Sequence, residues 1–514
     1  MPGYSKKLAK NTFFNFIGKS YSAIIVIFLV PIIIKHIGMD HFGVWAIVSV
    51  IFGYVELADL GFGSSYLKYL SEAHTKNDIK EISKILVTGL FFYITLVFLV
   101  AIILIPSIPL LIRLFNLGNL KEISSFAILI GFFIFAVNSI LGMSQSLIHA
   151  LQRYDISNKV SIFIKSFRFI LMVILLYLGY GLKGLMIGQL MVTIIHNLIN
   201  FVIAKSLLPG WSIKIKNIEH NTAKKLFKFG IKIQTARISE QINAHIDKII
   251  LSNVYNITLV GYYEIATKIV NIIKLFAKIL ASATIPLASE LEAKNQTDKI
   301  HDLFFTGTKL LVLTSSFMIL FILMFSDDIL FLWLGKIYDD ARLFLHILIF
   351  GVAINITSAI AMHLANGMGK PEFEMNYGFL LMIMNLTLSI LGIIFIGKIG
   401  PALGTTVSLS VATLYYLVLF CNYLKVSLKD YLALYSKPVL AIIIIGFFYI
   451  FYNYLESFYL ENISYRRLYY FFKLGFLFLF GFFMHFYFLR IANYFTKVEK
   501  KKLTPIKIAK LIFK

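Results

Sequence analysis

Cysteine is nearly absent from this chain. Cys421 is the only one in 514 residues, so no intramolecular disulfide and no cysteine-based metal site can form. Charge is also scarce, at 15% of residues, where a soluble domain carries about one quarter. Acidic residues are the scarcer sign, with 26 Asp and Glu against 49 Lys and Arg. Several chemical signatures are missing as well. There is no G-x-x-x-x-G-K-[ST] loop to hold ATP, no H-E-x-x-H, no G-x-S-x-G and no polar stretch long enough for a soluble catalytic domain. These absences argue against an ATP-driven pump or a hydrolase and point away from an enzyme, toward a secondary carrier.

What fills the chain is apolar. Hydrophobic residues make up 59%, with 49 Phe, 28 Tyr and a mean hydropathy of +0.82. A helix needs about 20 apolar residues to cross a bilayer. The sequence predicts fourteen such spans, at 13–37, 43–66, 85–112, 123–149, 160–179, 182–204, 229–252, 259–286, 305–325, 343–366, 375–396, 400–423, 438–455 and 468–489. The fold class expected is therefore an all-α polytopic membrane protein with about 14 transmembrane helices. Lys6, Lys7 and Lys10 precede the first span as in a signal peptide, but the apolar run is too long and lacks an A-x-A site, so an uncleaved helix is expected.

Orientation follows from the basic residues. With the N-terminus in the cytoplasm, cytoplasmic segments hold roughly thirty Lys and Arg and outer segments nine, the asymmetry of the positive-inside rule. Both termini are then expected in the cytoplasm of a multi-pass inner-membrane protein. The net charge of +23 is distributed beside apolar segments, which excludes nucleic acid as the natural partner and suits anionic membrane lipid. The segment 205–228 and the tail from 490 mix Lys with Leu, Ile and Phe. They read either as amphipathic helices on the inner leaflet or as solvated orienting charge.

The chain also looks doubled. His41-Phe42-Gly43-Val44-Trp45-Ala46-Ile47 is answered about 218 residues later by Leu259-Val260-Gly261-Tyr262-Tyr263-Glu264-Ile265. Gly181-Leu182-Lys183-Gly184 is answered at nearly that offset by Gly400-Pro401-Ala402-Leu403-Gly404. The organisation expected is a six-helix unit over 1–204, a basic linker over 205–228, a second six-helix unit over 229–423, two further helices over 424–489 and a basic tail over 490–514. Repeats of this kind build many transporters, with the site between them.

Polar residues inside the spans carry the functional signal, because a charge at bilayer depth costs about 2.5–3.5 kcal/mol even on insertion scales. Span eight places Glu264, Lys268, Asn271, Lys274 and Lys278 along one helical face. Span seven carries Lys232, Arg237, Glu240, His245, Asp247 and Lys248, with Arg237 and Glu240 spaced to pair. Asn11, Asn15, Lys19 and Ser22 line one side of span one. Asn138, Gly142, Gln145, His149 and Gln152 share a face of span four, and Gln189, Thr193, His196 and Asn200 one of span six. Span two contributes Glu56 and Asp59, and span five Lys165 and Arg168. Isolated Asn and Gln serve as interhelical glue, whereas stripes on several helices suit a shared wet cavity. Ten basic residues lie within spans against about half as many acids, so the interior is expected to attract an anionic head group such as phosphate or pyrophosphate.

These features come together in a family resemblance. Lys10-Asn11-Thr12 with Asn15, the Gly38–Trp45 run, Asp59-Leu60-Gly61-Phe62-Gly63, Leu151-Gln152-Arg153-Tyr154, Asp247-Lys248-Ile249-Ile250-Leu251 with Val260-Gly261-Tyr262-Tyr263, and Ala365-Asn366-Gly367-Met368-Gly369-Lys370-Pro371 occur in that order on a fourteen-span frame. In this the chain resembles a polysaccharide (Wzx-type) flippase of the multidrug/oligosaccharidyl-lipid/polysaccharide exporter superfamily. The resemblance implies two six-helix bundles in a V around a central cavity, with two C-terminal helices beside them. It implies transfer of undecaprenyl-pyrophosphate-linked oligosaccharide from the inner to the outer leaflet for O-antigen, capsule or exopolysaccharide synthesis, alongside a polysaccharide polymerase and chain-length machinery. No cofactor is called for beyond a proton or sodium gradient. By charge and position, Lys19, Arg237, Lys248, Lys268, Lys274 and Lys278, with Asn15 and Gln145, are candidates to bind substrate. Glu56, Asp59, Glu240, Asp247 and Glu264 are candidates for coupling or gating, and no metal or catalytic residue is expected. The rivals are a peptidoglycan lipid-precursor flippase, a drug/cation antiporter of the same fold, which would want an acidic cavity, and a membrane polysaccharide polymerase or ligase, which would want a larger outer loop.

Overall fold

The computed structural model describes residues 2–459 and 466–494, apart from the side chains of residues 2–20, 23, 215, 232, 233, 235, 236, 457–459 and 466. Every regular element among them is helical. The chain folds as two compact units, 1–264 and 265–514. The first holds α1 (Pro2–Val55), α2 (Phe62–Thr75), α3 (Ile79–Leu114), α4 (Lys121–Leu141), α5 (Met143–Ala150), α6 (Tyr154–Tyr177), α7 (Gly181–Leu207) and α8 (His220–Val254). Helix α9 (Ile257–Ser282) runs across the division. The second unit continues with α10 (Thr284–Ala293), α11 (Thr297–Met324), α12 (Ser326–Leu334), α13 (Asp339–Thr357), α14 (Ala359–Gly367), α15 (Glu372–Phe395), α16 (Gly400–Leu424), α17 (Leu428–Ala433), α18 (Ser436–Tyr459) and α19 (Arg466–Ile491).

Among the described residues, 12 helical stretches are long and apolar enough to cross a membrane. The first two expected spans are helices that meet at Gly38, whose φ of 77° and ψ of 175° break the helical path and suit a residue without a Cβ. Expected span seven, in α8, is not among the 12, because Arg237, Glu240, His245, Asp247 and Lys248 crowd this 35-residue helix and lower its hydropathy below that of a span.

Four expected spans are broken within their length. Span two ends at Val55 and passes through a 3-10 turn, Glu56–Asp59, before Leu60 and Gly61 turn left-handed and α2 begins. Span four breaks at Gly142 between α4 and α5, and span ten breaks at Ser358 between α13 and α14. Span eight breaks at Ala283 between α9 and α10. The breaks in spans four and ten recur at nearly the offset of the sequence repeat, as broken helices do in transporters built from repeats.

Within the first unit, α8 is fastened along its length. Ser65 Oγ donates to the Leu226 carbonyl at 2.6 Å near its start, and Asn253 Nδ2 to the Leu114 carbonyl at 2.7 Å near its end. The division between units therefore falls after α8, at Glu264, whereas the expected second bundle begins at 229. The first part of the linker expected over 205–228 is pinned to the first unit, while its lysines Lys214, Lys216, Lys224, Lys225 and Lys228 are exposed. Trp211 is buried among Leu70, Ile82 and Leu86, and Lys205 donates to its carbonyl at 2.5 Å. Ser212 N bonds Ser83 Oγ, and Glu219 N bonds Thr88 Oγ1, both at 3.2 Å. Residues 208–219 thus form a strap seated on α3. The Thr222 hydroxyl and the Lys84 ammonium hold the Glu219 carboxyl below its usual range. The expected basic tail beyond Tyr494 lies outside the described residues.

The second unit packs through small residues and one ion cluster. A Cβ on Gly400 would lie 2.0 Å from the Gly392 carbonyl carbon, and one on Gly404 would lie 2.6 Å from the Ser389 nitrogen. Helices α15 and α16 therefore touch backbone to backbone. Helices α12, α18 and α19 meet at Lys473, whose side chain is 3% exposed. Its ammonium reaches Asp328 at 2.6 Å and Glu456 at 2.5 Å, beneath the rings of Phe325, Tyr452 and Tyr470. Because both carboxylates depend on this one cation, Lys473→Ala is expected to destabilise the protein by about 3–5 kcal/mol, read as a lowered melting temperature of the detergent-solubilised protein.

Candidate functional site

The breaks in spans two and four open a cavity in the first unit. Its volume is about 430 Å³, and its polar lining includes Glu56, Asp59, Asn138, Arg237, Glu240 and Gln241. Irregular backbone at membrane depth is tolerated only where it is buried in protein or lines a wet cavity. The Glu56–Gly61 turn meets that condition, and its sequence explains its shape. Asp59 folds back to accept from the backbone of Gly61 at 2.8 Å and Gly63 at 3.4 Å. Gly61 has a φ of 74°, and a Cβ there would lie 2.2 Å from the Gly230 carbonyl oxygen. Only glycine permits both the turn and the approach of α8.

Arg237 closes this arrangement. Its guanidinium donates to both Asp59 oxygens, at 3.1 and 3.2 Å, and to Ser64 Oγ at 3.2 Å. Gln234 Nε2 donates to the Leu57 carbonyl at 2.5 Å. The i,i+3 partner expected of Arg237 was Glu240, but the charge is taken by Asp59, far away in sequence. Three carboxylates and one guanidinium line the cavity, so its balance is acidic, against the basic excess counted over the spans as a whole.

The remaining candidates fall into three groups. Lys248 is 9% exposed and bonded to Glu264 at 2.6 Å, while Tyr263 donates to the buried Asp247. Both contacts lie where α8 meets the start of α9. Along α9, Lys274 is half-buried and Lys278 exposed. Among the described residues, Lys274 has neither a hydrogen bond nor an ion pair, whereas Lys268 has a partner. Gln145 is half-buried and does not line the cavity. Asn15 and Lys19 lie among the side chains outside the described residues. His149 bonds Ser157 at 2.8 Å, and Asn138 accepts from Asn197 at 3.0 Å, which is the interhelical glue expected of single polar residues. Among the described residues, no group of His, Cys, Asp and Glu could hold a metal ion.

The sequence pattern did not single out Gln241 as cavity-lining or Gln234 as the anchor of the turn. Their signal, a glutamine on an unusually polar helix, is shared by many residues with no such role. The Arg237–Asp59 pair is testable by a double-mutant cycle. Arg237→Gln and Asp59→Asn should each lower the melting temperature, and the double variant should lose about 1 kcal/mol less than the sum of the two single losses.

The chain is similar to known proteins in sequence and to solved structures in fold. The probable low-salt glycan biosynthesis flippase Agl15 of Haloferax volcanii is 26% identical over 223 residues, covering 42% of this chain and 46% of that protein. This chain thus spans just under half the length of that relative. An uncharacterized membrane protein of Methanocaldococcus jannaschii is 22% identical over 359 residues, covering 67% of this chain and 70% of that one. Among solved structures, the lipid II flippase MurJ in an inward closed conformation has a TM-score of 0.70 at 17% identity, covering 93% of this chain and 98% of that one. An inward-facing multidrug resistance MATE family transporter of the MOP superfamily gives 0.65 at 14% identity, covering 81% and 94%. At these identities the likeness is one of fold, and it is the fold of the superfamily the sequence motifs resemble. A sequence profile of the family described as "Polysaccharide biosynthesis protein" matches residues 35–343, more than half of the chain, and the protein belongs to that family.

Proposed function

We propose that this protein is a flippase that moves a lipid-linked oligosaccharide from the inner to the outer leaflet for surface-polysaccharide assembly. The carrier lipid is undecaprenyl pyrophosphate, the membrane is the inner membrane, and both termini are cytoplasmic. A polysaccharide polymerase and its chain-length machinery consume the product. Membership of a polysaccharide biosynthesis family supports this reading, as does similarity to a probable glycan biosynthesis flippase. The observation that carries it is Lys274, an ammonium near the middle of an apolar span with no protein partner among the described residues. A cation left unmatched at that depth marks a binding site for an anionic group, and a pyrophosphate offers two.

In this reading the acidic cavity of the first unit has the complementary task. Glu56 and Glu240 are exposed to it, and Asp59 is tied to Arg237. Such a set takes up a cation, either a proton or sodium, whose gradient drives transport. Arg237 is then a gating partner that competes with the cation for Asp59.

Lys274→Ala, inserted normally in the membrane, should reduce surface polysaccharide about tenfold, the scale of one lost charge-assisted bond. Lipid-linked repeat units should accumulate on the inner leaflet, and Lys274→Arg should retain most export. Unchanged glycan display in the Ala variant rejects Lys274 as a site. Accumulation of peptidoglycan precursor in place of repeat units would reassign the substrate.

A further inference from the structure

Interior cations of the first unit differ in whether a carboxylate meets them. Arg237 is matched by Asp59 and Lys248 by Glu264. Arg168 is not. It lies on α6, a 24-residue span with no Pro or Gly inside, about 14 Å from the nearer helix end at 1.5 Å per residue. Its one partner among the described residues is neutral: Nη1 donates to Gln189 Oε1 of α7 at 3.2 Å. Lys165 stands one turn earlier on the same face and donates to Ser22 Oγ of α1 at 2.6 Å. The His196 ring of α7 lies within electrostatic reach of both charges and bonds Asn200 at 3.1 Å.

The sequence of the surrounding helices holds almost no counter-charge. Residues 1–39 contain neither Asp nor Glu, and α7 contains neither. The single acid on α6 is Asp155, at its first turn and paired with Arg153 at 3.2 Å. Helices α1, α6 and α7 pack on one another, and among the described residues the groups that meet Arg168 are the Gln189 amide and, at longer range, the Lys165 ammonium and the His196 ring. Burying a fixed guanidinium without a carboxylate is unfavourable and persists where the charge faces a wet cavity or a ligand. Gln189 orients Arg168 without neutralising it, leaving the rest of its fork to grip two oxygens at once.

We infer that Arg168, with Lys165, Ser22 and Gln189, forms an anion subsite in the first unit that takes a phosphate or diphosphate group. That the group belongs to the transported lipid rests on the function proposed above. The anion chemistry does not, since it follows from the unmatched charge.

The test uses the full chain in phosphatidylcholine nanodiscs, with farnesyl pyrophosphate as the lipid probe and inorganic pyrophosphate as the free-ion probe. Arg168→Gln should weaken farnesyl pyrophosphate binding at least about tenfold, and Arg168→Lys should weaken it less, because it keeps the charge and loses the fork. Competition by inorganic pyrophosphate assigns the site to the diphosphate itself, and its absence to the lipid-borne group. Because Arg168→Gln removes an unmatched charge, its melting temperature should equal or exceed the parent's. Binding unchanged within about twofold in the Lys165→Gln Arg168→Gln double variant overturns the subsite. So does failure of the parent to bind either probe, or loss of binding accompanied by a lower melting temperature. If Lys274→Ala abolishes binding while Arg168→Gln does not, the subsite falls and the transport reading stands. If Arg168→Gln weakens binding but the parent protein does not move lipid-linked glycan between vesicle leaflets, the subsite stands and the transport reading falls.

Discussion

In hydrocarbon a full charge has three options: a counter-charge, water, or a ligand. The molecule uses the first wherever geometry allows. Asp59 takes Arg237, Glu264 takes Lys248, and Lys473 carries two carboxylates from different helices. Each pair joins different elements, so charge neutralisation also fixes which helices touch. The α8 helix shows this most clearly. It is too polar to face lipid, and it is held against α2, α3 and the Glu56–Gly61 turn by hydrogen bonds along its length. The cations left over, Lys274 and Arg168, are where the second and third options apply.

Breaks in the helices supply the space in which those options operate. A continuous helix pairs its own backbone and leaves no opening. Where span two turns at Glu56–Gly61 and span four at Gly142, freed groups are satisfied locally by the Asp59 carboxylate and by i→i+3 bonds. The volume between them becomes the acidic cavity. Glycine recurs at these points because the turn requires positive φ at Gly61 and the neighbouring helix approaches to backbone distance. In the second unit Gly392 and Gly400 serve packing instead, bringing α15 and α16 to backbone contact.

A fold shared with a lipid II flippase and a multidrug transporter does not by itself choose a substrate. Charge does. In the function proposed above, the acidic cavity and the separate unmatched cations would divide the two tasks of a coupled carrier between different residues, one set for a cation and one for an anionic head group. A single basic cavity, as the residue count suggested, would have had to serve both.

Much of this was legible in the sequence. Hydropathy alone set the all-helical membrane class, because twenty apolar residues have few other places to go. The polarity of span seven marked it as too polar to face lipid. Lys274 stood out because its position in an apolar helix is a local fact. What the tertiary structure alone decided was the partner of each charge. Helical spacing offered Glu240 to Arg237, but Asp59 lies nearer in space, and Lys473 finds acids that the sequence placed in outer loops. Spacing along one helix constrains only neighbours within a turn or two. Which charges end up matched depends on how separate helices pack, and that is written in no single segment.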